Sequence, residues 1–127
     1  MVANESSVEI HKGYMGFRSF WRALRTARTL YGDNAAYVMH FRISTQGGVR
    51  QDGCHPFPLS KNMDDLRKLD TYADIGIAHN GIIDLCSDWG STYASYYSKY
   101  SAVKKSVDYS DTMKFITDYL SDRKSVV

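Results

Sequence analysis

The chain has no long apolar run, only two cysteines and only two prolines. No stretch approaches the roughly 20 consecutive apolar residues that a membrane-spanning helix needs. The first ten residues also lack the apolar core of a signal peptide. We therefore expect a cytoplasmic protein without a membrane partner.

The composition is that of one globular domain covering residues 1–127. Of the 127 residues, 43% are hydrophobic and 13% aromatic, which does not suit a disordered chain. Cys54 and Cys86 are too few for a disulfide framework and favour reduced thiols. The formal net charge of +2 indicates no particular partner by itself.

One helix is predicted from about residue 16 to residue 30. Apolar side chains recur there at three- and four-residue spacing, so they should form one stripe that faces the core. Arginines occupy the opposite side, and Gly32 should end the helix. The apolar set is Phe17, Phe20, Trp21, Leu24, Ala27 and Leu30, and the basic set is Arg18, Arg22, Arg25 and Arg28.

Apolar runs at 35–44 and 75–78 predict two buried strands. Residues 1–13 alternate loosely between apolar and polar side chains, which predicts a strand or a frayed lead-in. Residues 86–109 are rich in serine and tyrosine and fit neither a clean strand nor a clean helix. We expect a long loop there, and loops of that length are usually functional or mobile.

Two more helices are predicted from their capping residues. Asn62 can cap a short helix that runs through Leu69, and Ser110 can cap a final helix through about Ser121. The last helix should present an inward apolar face made of Met113, Phe115, Ile116, Tyr119 and Leu120.

Three short segments could carry chemistry, and each also has an ordinary structural explanation. Arg42 can bind a carboxylate through two parallel hydrogen bonds, or it can be a strand-end arginine that meets a surface acid. Asn80 and Gly81 can donate hydrogen bonds to an oxyanion, or they can form a hairpin turn. Asp111 can accept hydrogen bonds from an ammonium group, or it can complement the dipole of the final helix.

Taken together and in this order, the three segments resemble the class II glutamine amidotransferases, which are N-terminal-nucleophile hydrolases. The resemblance spans about residues 35–115 and rests on segments 40–48, 75–84 and 109–112. The first helix and the His-Pro-Phe-Pro segment at 55–58 are similar to short standalone members, many of them encoded by bacteriophages.

The resemblance implies an α/β (α+β) fold of the αββα sandwich type and hydrolysis of the glutamine amide without a cofactor. It assigns Arg42, Thr45 and Asp111 to glutamine binding, and Asn80 and Gly81 to the oxyanion hole. In this family the nucleophile is an N-terminal cysteine whose free α-amino group takes the thiol proton.

The chain departs from the family at its beginning, where Met1 and Val2 offer no thiol or hydroxyl. About fifteen residues precede the first helix, where the family has strands and a glycine-rich stretch, so we expect a truncated sandwich. Gln46 also stands where the family often has histidine. Neither Cys54 nor Cys86 has the terminal amine that the mechanism uses, and the cysteines and histidines show no recognised metal-ligand spacing.

We therefore expect a catalytically silent domain that acts by binding, such as a phage protein that modulates a host protein, with free glutamine as another possible ligand. The alternative is a glutaminase or amidotransferase whose nucleophile segment lies outside this chain. Non-specific nucleic-acid binding is a weaker alternative because the net charge is small. Exposed sheet edges in a trimmed sandwich predict a homodimer. The expected partner surface, unless it is an ordinary solvated or packed face, consists of Arg18, Arg22, Arg25, Tyr93, Tyr96, Tyr97 and Tyr100.

Overall fold

The computed structural model describes residues 1–42, 50–81 and 110–121. Thr45 lies outside the described residues, as does the whole predicted loop at 86–109, which includes Cys86 and the tyrosines at positions 93, 96, 97 and 100. The described part has a mixed α+β architecture, as the sequence predicts.

The elements follow one another in a simple order. They are β1 (Val2–Ala3), β2 (Val8–His11), α1 (Phe17–Tyr31), a 3₁₀ turn (Gly32–Asn34), β3 (Ala36–Tyr37), β4 (Phe57–Pro58), α2 (Met63–Arg67), β5 (Asp70–Ala73), β6 (Gly76–Ile77) and α3 (Asp111–Phe115), which continues in wider π-type turns over Ile116–Leu120.

An antiparallel sheet forms the centre of the described structure, with strand order β3-β1-β2-β5. The short turn between β1 and β2 is held by Asn4, whose side-chain oxygen accepts hydrogen bonds from the backbone N–H groups of Ser6 and Ser7. Ile10 pairs with Thr71 across the sheet and is fully buried. A second, two-stranded sheet pairs β4 with β6.

Helix α1 has the predicted length, but it is rotated relative to the predicted orientation. It follows Gly16 and ends at Gly32, whose φ of 57° is a conformation that glycine adopts without strain. Ala27 faces the protein interior and is buried, whereas three members of the predicted core stripe face outward. Phe17, Trp21 and Leu30 are 68%, 48% and 71% exposed. The prediction of a buried stripe is therefore wrong for these three positions.

The two predicted buried strands are shorter and more exposed than their apolar composition indicates. In the part of the first run that the structure describes, 35–42, the strand is Ala36–Tyr37, and Val38, Met39 and Phe41 are exposed. Within 75–78, the strand is Gly76–Ile77, and Ile75 is exposed. A run of apolar residues indicates burial only if another layer covers both faces, and the described residues do not supply that layer here.

Both predicted capped helices are present. The side chain of Asn62 accepts a hydrogen bond from the backbone N–H of Asp64, and that of Ser110 accepts one from Met113. Helix α2 ends at Arg67, two residues before the predicted end. On the last helix Tyr119 is exposed, so its predicted inward position is wrong.

A small apolar core joins α2 and α3 to the second sheet. Four buried side chains pack together in this cluster, and Leu59, Met63, Ile77 and Leu120 pack against it. The cluster fixes the position of α3, and therefore of Asp111, relative to β4 and β6. Its buried members are Phe57, Leu66, Met113 and Ile116.

Strand β5 was not predicted from the sequence. Its four residues, Asp-Thr-Tyr-Ala, are half polar and too short for a clear alternation, so long-range pairing with β2 determines it. None of the described helices has the length and apolar character needed to cross a membrane.

Candidate functional site

Three histidines from distant parts of the chain meet beside the second sheet. The rings of His40 and His55 stack with centroids 4.6 Å apart. The Nε2 of His40 lies 3.2 Å from the carbonyl oxygen of His79, and the backbone N–H of His79 donates to Nδ1 of His55 at 3.1 Å. These contacts bring the segments that contain Arg42 and Asn80 to one place.

The hydrogen bonds determine the protonation of two of these rings. Because Nδ1 of His55 accepts a hydrogen bond, the proton of its neutral ring is on Nε2. Because the partner of His40 is a carbonyl oxygen, Nε2 of His40 carries the donated proton. Burial, followed by the electrostatic effect of His40, His79 and Arg42, lowers the pKa of His55 to about 4, so His55 is neutral at pH 7.

Arg42 and Asp111 both lie close enough to His55 to act on it electrostatically. The charge of Arg42 lowers the pKa of His55, whereas that of Asp111 opposes the lowering. Arg42 is exposed, and its Nη1 donates to the carbonyl oxygen of Gly53 at 3.1 Å. The sequence-predicted cation and anion therefore both act on the same histidine.

Asp111 is fixed by its place at the start of α3. Its Oδ1 accepts a hydrogen bond of 2.8 Å from the backbone N–H of Thr112, directly after the cap at Ser110. The carboxylate is half-buried, so part of it remains accessible to a ligand. The predicted interaction with the helix N-terminus and a role in ligand binding are compatible in this geometry.

Asn80 and Gly81 are exposed next to the histidine cluster. Gly81 has a φ of +129°, whereas no other described residue except Gly13 and Gly32 has a positive φ. A type I′ hairpin turn needs positive φ at both central residues, so Asn80-Gly81 does not form that turn. The Nδ1 of His79 is buried and has no hydrogen-bond partner among the described residues.

A cavity of about 340 Å³ opens beside this cluster. Its lining includes His40, Arg42 and His55 from the cluster, and also Met1, Lys12 and Cys54. Of the predicted site residues that the structure describes, Arg42 lines the cavity, whereas Asn80, Gly81 and Asp111 do not. Its volume is in the lower part of the range of roughly 300–1,000 Å³ that is typical of small-molecule sites. A free amino acid therefore fits the available space.

Lys12 forms part of the cavity wall and is 5% exposed. Its Nζ donates to the carbonyl oxygens of Asp52 and Leu66 and lies 4.1 Å from the centre of the Phe57 ring. Burial lowers its pKa to about 8, although the electrostatic effect of Cys54 and Asp52 opposes this. Lys12 thus ties β2 to the loop before β4 and to the end of α2.

Cys54 is half-buried and its thiol is free. Its Sγ donates to the carbonyl oxygen of Arg50 at 3.3 Å. Arg50 in turn forms an ion pair with Asp52, whose carboxylate lies 2.8 Å from Nη2 of the arginine. The thiol is therefore part of a compact turn on the cavity wall, next to His55 in sequence.

The sequence analysis missed His55 and Lys12 as parts of the site. His55 was part of the 55–58 segment that contributes to the family resemblance, which was the available signal. No sequence signal indicated a role for Lys12, because a single lysine at the end of a predicted strand is usually solvent-exposed. Within the described ranges, no group of three or more histidine, cysteine, aspartate or glutamate side chains is arranged to hold a metal ion.

The predicted basic surface adjoins this cavity, because Phe17 lines both. Arg18, Arg22 and Arg25 line a different, shallow groove along α1.

Comparison of the chain with protein-family models, with curated proteins and with solved structures gave no match.

Proposed function

We propose that this chain is a glutamine-binding domain of the class II amidotransferase type, with a trimmed αββα architecture, which binds the amino acid without hydrolysing it. One observation supports this most strongly. Three segments far apart in the sequence, at 40–42, 79–81 and 111, all lie around His55. Their order and residue types are those that the resemblance to this enzyme family requires.

The chemistry of each group suits a different part of glutamine. Arg42 can bind the α-carboxylate, and Asp111 can accept hydrogen bonds from the α-ammonium group. The side-chain amide of Asn80 and the backbone N–H of Gly81 can donate to the side-chain carbonyl oxygen. Neutral His55 interacts electrostatically with both the cation and the anion and adds no charge of its own.

We expect no turnover from these 127 residues themselves. Hydrolysis by this enzyme type needs a thiol or hydroxyl together with a neighbouring free amine, and neither Cys54 nor Cys86 has that amine beside it. Cys54 is a thiol on the cavity wall, but it is an internal residue bonded to the Arg50 carbonyl. The 127-residue chain should therefore bind glutamine and release no ammonia.

Calorimetric titration of the purified chain with L-glutamine tests the binding. We expect saturable binding of L-glutamine and weaker binding of D-glutamine. The Arg42→Met variant should bind L-glutamine at least tenfold more weakly than wild type, because a charge-assisted hydrogen bond contributes about 1.5–3 kcal/mol. Arg22→Met removes an exposed arginine from α1 and serves as the matched control. Equal titration of Arg42→Met and wild type, with both variants folded, would contradict the proposal.

A second candidate function is glutamine hydrolysis with a nucleophile from outside these 127 residues. The position of Met1 favours it, because Met1 lines the same cavity as Arg42 and His55. An in-frame Met-Cys-Gly sequence upstream in the gene would support this candidate. Ammonia release by the 127-residue chain itself, abolished in Asn80→Ala, would show instead that the chain is an active enzyme.

A further inference from the structure

Helix α1 presents to the outside an apolar face that the described fold does not use. Ala27 is buried toward the sheet, whereas Phe17, Trp21 and Leu30 are 68%, 48% and 71% exposed. The rings of Phe17 and Trp21 stack at 5.9 Å, so they form one apolar patch near the start of the helix. Exposed apolar groups in a contiguous arrangement usually mark an interaction site.

The same face is strongly cationic. The fifteen residues of α1 contain four arginines and no acidic residue. Arg28 lies 3.5 Å from Asp33 and over the ring of Tyr37, but the other three line a shallow groove together with the exposed apolar side chains. The groove has a volume of about 580 Å³, and none of the described residues that line it is acidic.

We propose that this groove docks an acidic, amphipathic helical segment of another protein. The inference concerns α1 alone and does not depend on the glutamine pocket. Arg18, Arg22 and Arg25 are four and three residues apart, so they lie on successive turns. A partner helix with carboxylates at the same spacing places one acid opposite each arginine, and its apolar residues cover Phe17, Trp21 and Leu30.

The arrangement suits a protein helix better than a membrane or a nucleic acid. An interfacial membrane helix presents one continuous apolar face, whereas in this groove the 3.6-residue helical period places the arginines between Phe17 and Trp21 on one side and Leu30 on the other. Single-stranded nucleic acids stack bases on aromatic faces, but Phe17 and Trp21 already stack on each other. The net charge of +2 is also small for a phosphate-binding protein.

A synthetic helical peptide tests the proposal. The probe is a tryptophan-free 15-residue peptide with glutamates at spacings of four and three and leucines beside them, compared with the same peptide in which lysine replaces every glutamate. The chain carries Trp89→Phe, so that Trp21 is the single tryptophan and its emission reports burial. We expect a saturable blue shift with the glutamate peptide and at least tenfold weaker binding of the lysine peptide.

Charge reversal in the groove provides the matched comparison. Arg22→Glu combined with Arg25→Glu should weaken binding of the glutamate peptide at least tenfold. Lys61→Glu combined with Lys114→Glu makes the same change in net charge outside the groove and should leave binding unchanged. Equal effects of the two double variants, or equal binding of the two peptides, would overturn the proposal.

Three further outcomes would also overturn it. Tighter binding to phosphatidylserine vesicles than to the glutamate peptide would identify the groove as a membrane surface, and tighter binding to single-stranded DNA would identify it as a nucleic-acid surface. A blue shift of Trp21 that depends on protein concentration alone, together with a dimer mass by light scattering, would identify a second copy of the chain as the occupant.

Discussion

The backbone N–H of His79 donates a 3.1 Å hydrogen bond to Nδ1 of His55. This bond joins the segment that follows β6 to the loop before β4. Its donor, His79, directly precedes Asn80. It also needs an unprotonated Nδ1, because a protonated nitrogen cannot accept. The position of the Asn-Gly pair therefore depends on the protonation of His55.

Stability should fall as His55 becomes protonated. The folded-state pKa of about 4 lies below the ordinary value of 6.5, so the contribution of neutral His55 is complete above pH 6.5 and is lost as the pH falls toward 4. We expect a loss of about 2 kcal/mol over that range, with allowance for partial solvent screening. Urea unfolding between pH 7 and pH 4.5 measures it.

The His55→Asn variant is the control for this prediction. Its side-chain oxygen can accept the same hydrogen bond, but it does not titrate. The variant should have a flatter dependence of stability on pH than wild type between pH 5 and pH 6.5. Identical slopes for the two proteins would mean that His55 does not cause the loss.

Replacing Lys12 should destabilise the protein although lysine is usually a surface residue. In Lys12→Met the carbonyl oxygens of Asp52 and Leu66 lose their shared donor. Leaving a buried acceptor unsatisfied costs up to roughly 1–3 kcal/mol. We therefore expect the free energy of unfolding at pH 7, measured with urea, to fall by about 2 kcal/mol in total. Lys114→Met, at an exposed position on α3, should change stability by less than about 0.5 kcal/mol.

The effect of Lys12→Met should also grow with pH. The pKa of Lys12 is lowered from 10.5 to about 8. At pH values between these two numbers, the Lys12 amine is therefore neutral in the folded protein and charged in the unfolded chain. Wild-type stability gains from this difference as the pH rises through 8, and the methionine variant does not. A gap between the two proteins that stays constant from pH 7 to pH 10 would contradict this prediction.

Two phenylalanines should respond differently to truncation. Phe57 is fully buried in the core cluster, so Phe57→Ala should cost about 3–5 kcal/mol. Phe17 is 68% exposed, so Phe17→Ala should cost less than about 1 kcal/mol. Thermal unfolding of both variants provides the comparison, and a large loss for Phe17→Ala would show that the outer face of α1 is needed for folding.

Features set by local sequence were predicted well, and those set by distant contacts were not. The spacing of apolar residues and the glycine at position 32 define α1, and side-chain caps define α2 and α3. Which side of α1 is buried depends on what packs against it, and β5 exists because it pairs with β2. The histidine cluster joins residues 15–39 positions apart, so only the resemblance to a family pointed toward it.

The cap at Ser110 should affect ligand binding as well as stability. Its Oγ accepts the hydrogen bond from Met113 that starts α3, and Asp111 is the next residue. Ser110→Ala should therefore cost about 1 kcal/mol and, because the first turn of α3 loosens, weaken glutamine binding severalfold. Asn62→Ala removes the equivalent cap from α2 at a similar cost but leaves Asp111 in place. Calorimetric titration of both variants separates the two effects: equal weakening would mean that lost stability, not the position of Asp111, lowers the affinity.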